Sequence, residues 1–266
     1  ATTAPPATTP AATTTAFAGI VPPQNTVGIS LFCFSVMQPG GAEQELVEYQ
    51  IKRRMSIFAC DEFAVIAPKD MILSPGNGNV QTWYNPAPVV GLGNYGAPGV
   101  TTNSYLNTKT FIQAFDTLVK SNRIYTHDFV IKVDPDAVFF PDRMRVHVTA
   151  SKGKNVYYAN CDQYNAQEPQ GPKVFGAIEV YSQAAMMAYK LGAERCAARQ
   201  WQGWGEDYYM QHCLDMLGVG HASDFMMLSD PHCHSKPCND PDTVTFHPYK
   251  DAASFESCLN QVVPNR

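Results

Sequence analysis

The segment Val27 to Val36, VGISLFCFSV, is predominantly apolar and is bounded by a Pro39-Gly40-Gly41 turn, a pattern that predicts a strand covered on both faces. The period then changes. Over Glu43 to Ala59 the apolar residues Leu46, Tyr49, Ile51, Met55 and Phe58 recur at roughly helical spacing, and Cys60 to Pro68 predicts a second strand after that helix. Ser74 to Asn103 is rich in Gly, Pro and Asn and reads as a long surface loop with short strands. Helical spacing resumes over Tyr105 to Ser121 through Phe111, Ile112, Phe115 and Leu118, and Phe129 to Val133 predicts the following strand.

Farther along, Asn155 to Ala159 and Phe175 to Tyr181 predict strands, and Ser182 to Leu191 predicts a helix capped by Ser182. Glu206 to Leu217 predicts another helix, stopped at Gly218. From His221 onward the pattern is loop-like, apart from a short strand near Thr243 to Phe246 and a terminal helix over Ala252 to Val262. Strands and helices in this order predict an α/β fold with a central mixed, mostly parallel sheet flanked by helices. There is no internal repeat, and no Pro/Ser-rich linker divides the body, so residues 23–266 are read as one domain.

Residues 1–22 are different. Their first sixteen positions hold seven Thr, three Pro and six Ala, with no charge and nothing large enough to build a core. This composition reads as a tether of the O-glycosylated stalk type or a plain linker, with a membrane anchor or another domain expected upstream of residue 1. The whole chain of 266 residues carries 19 basic and 24 acidic residues, a net charge of −5. With no Lys/Arg block, nucleic acid held through its phosphates is excluded as a partner. The stretch Ile51 to Arg54, IKRR, reads as the wet side of a helix.

Eight cysteines suit the oxidising compartment that a stalk implies. Cys33 and Cys60 read either as buried apolar residues or as partners of one another. His232, Cys233, His234 and Cys238 in PHCHSKPC could hold Zn²⁺, but the irregular spacing and the availability of Cys213 and Cys258 favour disulfides.

The strongest chemical signal lies in FVIKVDPDAVFF, Phe129 to Phe140. An apolar strand delivers Asp134 and Asp136 at its carboxyl end, where open α/β sheets place their ligands. If the backbone stays extended, alternation puts both side chains on the same side. Two acids so close repel unless a hard cation such as Mn²⁺ or Mg²⁺ lies between them, although Asp-Pro-Asp is also a common turn. A second acidic pair, Glu206-Asp207, opens a helix after Trp204 and Gly205. One of the two could accept a proton from a hydroxyl, and Trp201 and Trp204 offer flat surfaces for a sugar. His247, in FHPYK, could supply an imidazole ligand to the same cation, and Lys250 could contact a phosphate.

In this order the features resemble a GT-A-fold glycosyltransferase of the beta-1,3-galactosyltransferase, N-acetylglucosaminyltransferase and Fringe group. The K-x-D-D-D segment of that family is similar to Lys132-Val133-Asp134-Pro135-Asp136, with Pro135 in place of the middle acid. Its Gly-rich strand leading to Tyr-Ser, its acidic pair at a helix start and its late Phe-His are similar to Phe175 to Ser182, Glu206-Asp207 and Phe246-His247. The resemblance implies a UDP-sugar donor held through Mn²⁺ and transferred with inversion to a hydroxyl of a glycan or glycoprotein, in the Golgi lumen as a type II membrane protein or outside the cell. It further implies that Asp136 is the principal metal ligand, Asp134 acts at the ribose or metal edge, His247 completes the metal site and Asp207 is the general base. The Pro135 replacement, the long loop after Asp70 and the Cys/His-rich segment also leave open a retaining enzyme or a noncatalytic domain of the same fold serving as a binding or structural subunit. A metal-dependent hydrolase is a further alternative.

Overall fold

The computed structural model describes residues 28–86, 91–163 and 171–262, so the Thr/Pro-rich segment at 1–22 lies outside the described residues. The first units are β1 (Leu31–Val36), α1 (Ala42–Arg53) and β2 (Glu62–Ala67). Three two-residue strands follow, β3 (Ile72–Leu73) just before the Gly/Pro/Asn segment and β4 (Val80–Gln81) and β5 (Trp83–Tyr84) within it, and then α2 (Thr108–Ser121). Next come β6 (Phe129–Val133), β7 (Val138–Phe139), α3 (Pro141–Val148), β8 (Val156–Ala159), β9 (Ile178–Ser182) and α4 (Gln183–Ala197). The chain ends with α5 (Glu206–Met216), β10 (Gly220–Ser223), β11 (Thr245–Phe246) and α6 (Ala252–Val262).

Seven strands form the central sheet in the order β10-β8-β9-β6-β1-β2-β5. All of its pairings are parallel except those made by β9, which runs antiparallel to both β6 and β8. The sheet is therefore mixed and mostly parallel, as the alternation of strand and helix patterns predicts. Side chains alternate across it. Leu31, Cys33, Ile131 and Val133 pack on one face with Val47 and Ile51 of α1 and Met144 and Val148 of α3. Phe32, Phe34 and Val130 pack on the other with α2, α4 and α5. Burial on both faces is why β1 and β6 read as nearly continuous apolar runs.

Several expected boundaries shift for identifiable reasons. The helix expected over Glu43 to Ala59 stops at Arg53, because Arg54 turns left-handed (φ 52°, ψ 49°) and its N–H closes onto the Gln50 and Ile51 carbonyls. A separate 3-10 turn, Ser56–Ala59, then buries Ile57 and Phe58. The strand expected from Phe175 begins instead at Ile178, because the Phe175 N–H is taken by the Asn160 side chain at 2.7 Å. Ser182 caps α4 by accepting from the Ala185 N–H at 3.1 Å, and that helix runs on to Ala197, past the exposed Leu191. Two elements carry no apolar pattern to announce them. The edge strand β10 lies where a loop was expected and pairs through its backbone with β8, and α3 begins with Pro141 at its first turn.

A zinc site at residues 232–238 is overturned, because both of its cysteines are in disulfides, Cys161–Cys233 and Cys238–Cys258. The other bridges are Cys33–Cys60, joining β1 to the turn that precedes β2, and Cys196–Cys213, joining α4 to α5. Cys213 therefore does not serve the segment that it was expected to serve. All eight cysteines of the chain are paired, which fits a secreted or secretory-pathway protein. No helix among the described residues is long and apolar enough to cross a membrane.

Candidate metal centre and the acids around it

Strand β6 ends at Val133, and the chain turns at once rather than staying extended. The Asp134 N–H donates to the Ala177 carbonyl at 3.1 Å and the Ala137 N–H closes back on the Asp134 carbonyl at 3.1 Å. Gln50 of α1 donates to the Pro135 carbonyl at 2.6 Å, and the Ser35 hydroxyl donates to the Val133 carbonyl at 2.6 Å. The turn is thus held from two sides, and both acids lie beyond the carboxyl end of the sheet's central parallel strands.

A small second sheet brings in the histidine. Strand β11 pairs antiparallel with β7, matching Phe246 to Val138. Past it, the His247 N–H donates to the Ser229 carbonyl at 3.0 Å and the Tyr249 N–H to the Asp136 carbonyl at 2.9 Å. Ligand atoms of Asp134, Asp136 and His247 consequently all lie within 4.8 Å of one another. A set of two carboxylates and one imidazole is chemically suited to a divalent cation.

Charge at this point is strongly coupled. Asp136 is 6% exposed, and its Oδ2 lies against Lys250 Nζ and 3.4 Å from His247 Nε2. Two cationic side chains thus compensate this buried carboxylate. Burial alone would raise the Asp136 carboxyl, but His247 and Lys250 outweigh it and hold it down at about 2. His247 is lowered by burial and raised further by Asp136 and Asp230, reaching about 9. Asp134 is raised by burial, against the pull of Lys132 and with the push of Asp136.

Lys132 explains how the second acidic pair is placed. It is fully buried on the α2/α5 side of β6, with Nζ 2.7 Å from Asp134 Oδ1, 2.9 Å from Glu206 Oε1 and 3.4 Å from Glu179 Oε1. Glu179 stands directly across from Lys132 in the β6–β9 register and is raised to about 8, chiefly by burial. Glu206 is thus committed to Lys132. Asp207, the next residue, accepts the Gly176 N–H on Oδ2 at 3.0 Å and the Tyr208 N–H on Oδ1 at 2.7 Å. Burial, then the charge of Glu206, raise Asp207 to about 7. Asp207, unlike Glu206, makes no ion pair with Lys132, and its carboxyl titrates near neutral pH.

Trp204 lies two residues before α5, its carbonyl accepting from the Thr108 hydroxyl at 2.7 Å. Its ring meets Tyr208 edge-on at 4.9 Å, and Tyr208 in turn lies 3.9 Å from His212 one turn along α5. The loop after β5 docks here too, through the Thr101 N–H to the Gly203 carbonyl at 2.8 Å. Lys132 enters the sequence reading only as the head of the Lys132-to-Asp136 motif, with no role of its own. Two further residues escape that reading: Glu179 lies inside a strand that reads as apolar, and Asp230 precedes a cysteine-rich loop with no recognisable motif.

No family model and no curated protein matches the chain. Among solved structures, it is similar to a glycosyltransferase involved in the glycosylation of the major capsid of PBCV-1, with 8% identity, a TM-score of 0.51 and coverage of 86% of this chain and 98% of that one. A putative glucose-1-phosphate thymidylyltransferase from Bacillus anthracis aligns at 9% identity and TM-score 0.42, over 89% of this chain and 97% of that one. A cytidylyltransferase from Leptospira borgpetersenii serovar Hardjo-bovis aligns at 10% identity and TM-score 0.42, over 78% and 79%. The first of these likenesses, taken with the sheet order, defines the fold class as a GT-A-like α/β domain. At such identities the likeness is one of fold.

Proposed function

We propose that this protein transfers a sugar from a nucleotide-sugar donor, a UDP-sugar by resemblance, to a hydroxyl of a glycan or glycoprotein, with inversion and in the manner of the beta-1,3-galactosyltransferase, N-acetylglucosaminyltransferase and Fringe group. The observation that carries this reading is the convergence of Asp134, Asp136 and His247 beyond the carboxyl end of β6 in a GT-A-like sheet. These three residues would hold Mn²⁺ or Mg²⁺. When bound, such a cation neutralises charge on the departing diphosphate.

The remaining roles belong to the chain's own residues. Lys250, 75% exposed at its side chain and paired with Asp136, is free to exchange that partner for a phosphate oxygen. Asp207 takes the proton of the acceptor hydroxyl, held in orientation by the Gly176 and Tyr208 N–H groups. Trp204 offers a face to a sugar ring. Four disulfides support assignment to the secretory pathway, in the Golgi lumen as a type II membrane protein or as a secreted form.

The test is a titration of the purified chain with Mn²⁺ and a panel of UDP-sugars, followed by calorimetry. Mn²⁺-dependent donor binding that disappears in Asp136→Ala supports the reading. Absence of binding to any nucleotide-sugar at millimolar concentration favours a noncatalytic domain of the same fold.

A further inference from the structure

We infer that Asp230 is a positioning residue for the metal centre, fixing the ring of His247 so that Nε2 and no other atom faces the cation. This inference rests on the metal-dependent reading above and extends it to a residue outside the ligand set. Asp230 is 1% exposed, and its Oδ2 lies 2.6 Å from His247 Nδ1. A carboxylate at that distance keeps a proton on Nδ1, so Nε2 is the nitrogen that can release its proton and coordinate a cation. Nε2 is the nitrogen directed at Asp136, 3.4 Å from its Oδ2. A carboxylate behind a ligating imidazole sets its tautomer, orients the ring and raises its basicity.

Asp230 is itself held. Its Oδ1 accepts the His232 N–H at 2.7 Å and meets His232 Nδ1 at 3.0 Å. Its own N–H donates to the His234 carbonyl, and the Cys233 N–H donates back to the Asp230 carbonyl at 3.0 Å. The adjacent Cys161–Cys233 bridge ties this short loop to the residues after β8. His247 is anchored to the same segment through its backbone, its N–H donating to the Ser229 carbonyl at 3.0 Å. Both ends of the Asp230–His247 contact are therefore fixed by backbone, so the pair is built to orient a ring and does not arise from two mobile side chains meeting.

A double-mutant cycle on Mn²⁺ affinity, read by electron paramagnetic resonance of free Mn²⁺ on the full chain, tests this. Asp230→Ala should weaken Mn²⁺ by about 10- to 100-fold. Asp230→Asn, which keeps an acceptor for Nδ1–H but not the charge, should lose less. In a His247→Ala background, Asp230→Ala should have no further effect, because the ring that Asp230 orients is gone. Circular dichroism of each variant shows that it is folded, and Asp230→Asn carries the test if the alanine variant is not. Wild-type affinity in Asp230→Asn and Asp230→Ala, or an equal loss with and without His247, would overturn the positioning role while leaving the metal site standing. Failure of the wild-type chain to bind Mn²⁺ would overturn the metal site itself, and the positioning role with it.

Discussion

Lys132 Nζ lies 2.9 Å from Glu206 Oε1, a contact across 74 residues of chain that ties the end of β6 to the first residue of α5. The same ammonium holds Asp134, so one buried cation couples the candidate metal centre to the helix that presents Asp207.

Removing that cation should be costly. Lys132→Met leaves Glu206, Glu179 and Asp134 facing one another without compensation, and breaking a buried ionic network by deleting one partner costs about 3–5 kcal/mol. Urea denaturation measures it. A loss below about 1 kcal/mol would mean that Lys132 is not the organising charge, a value typical of exposed pairs.

Asp207→Asn should lower the turnover of sugar transfer by about 10²- to 10⁴-fold, the usual contribution of general acid–base catalysis, with donor and Mn²⁺ binding unchanged. Glu206→Gln should act differently, lowering stability through its lost pairing with Lys132. Initial rates set beside binding isotherms separate the two, and equal kinetic effects would contradict the division of roles.

The proton affinity of Asp207 gives a pH profile. Because its carboxyl is raised from 3.8 to about 7, the base form accumulates as pH rises, and kcat should climb through a pKa near 7. The stability effect has the opposite sign. Between 3.8 and about 7 the folded state binds this proton more than the unfolded state does, so the contribution of Asp207 to stability falls as pH rises through that window. Asp207→Asn should remove the rate dependence and lessen the stability dependence, the remainder of the same sign coming from Glu179, raised to about 8. Parallel pH titrations of rate and denaturation midpoint check this, and a flat wild-type rate between pH 6 and 8, the range that brackets that value, would argue against Asp207 as the base.

Gly176 tests the packing that holds these acids. A Cβ there would stand 2.9 Å from Glu206 Oε1 and 3.3 Å from Asp207 Oδ2. Gly176→Ala should therefore displace both carboxylates, costing about 1–3 kcal/mol as an overpacked site and reducing kcat. Retention of full activity would show that the acids can move without consequence.

Opening the Cys161–Cys233 bridge, which closes a sequence separation of 72, by a double Cys→Ala substitution should cost about 4 kcal/mol in the loop-entropy account. Because the bridge adjoins Asp230, Mn²⁺ affinity should fall as well. Unchanged affinity in the folded variant would separate the staple from the metal centre.

Much of this fold is legible in the sequence because covalent periodicity forces it. A strand buried on both faces must be apolar throughout, which made β1 and β6 readable, and α2 declares its core face through Phe111, Phe115 and Leu118. Asp134 and Asp136 stand out because charge at the end of such a strand has few structural reasons to be there. Local pattern does not show which distant groups meet. β10 pairs through its backbone with largely exposed side chains, so it has no pattern to read. Cys213 had several candidate partners, and only the packing of α4 on α5 chose Cys196.

The sequence by itself determined the class of chemistry available: two acids after an apolar strand, an acidic pair opening a helix, a late histidine and eight cysteines. Only the tertiary structure decided how those groups divide the work. It gave Glu206 to Lys132 and Asp207 to the Gly176 and Tyr208 N–H groups, turned the Asp134–Asp136 segment instead of extending it, and set Asp230 behind His247. The physical reason is that a proton's location and a ligand's orientation depend on burial and on charges a few ångströms away, and those neighbours come from segments tens to more than a hundred residues apart.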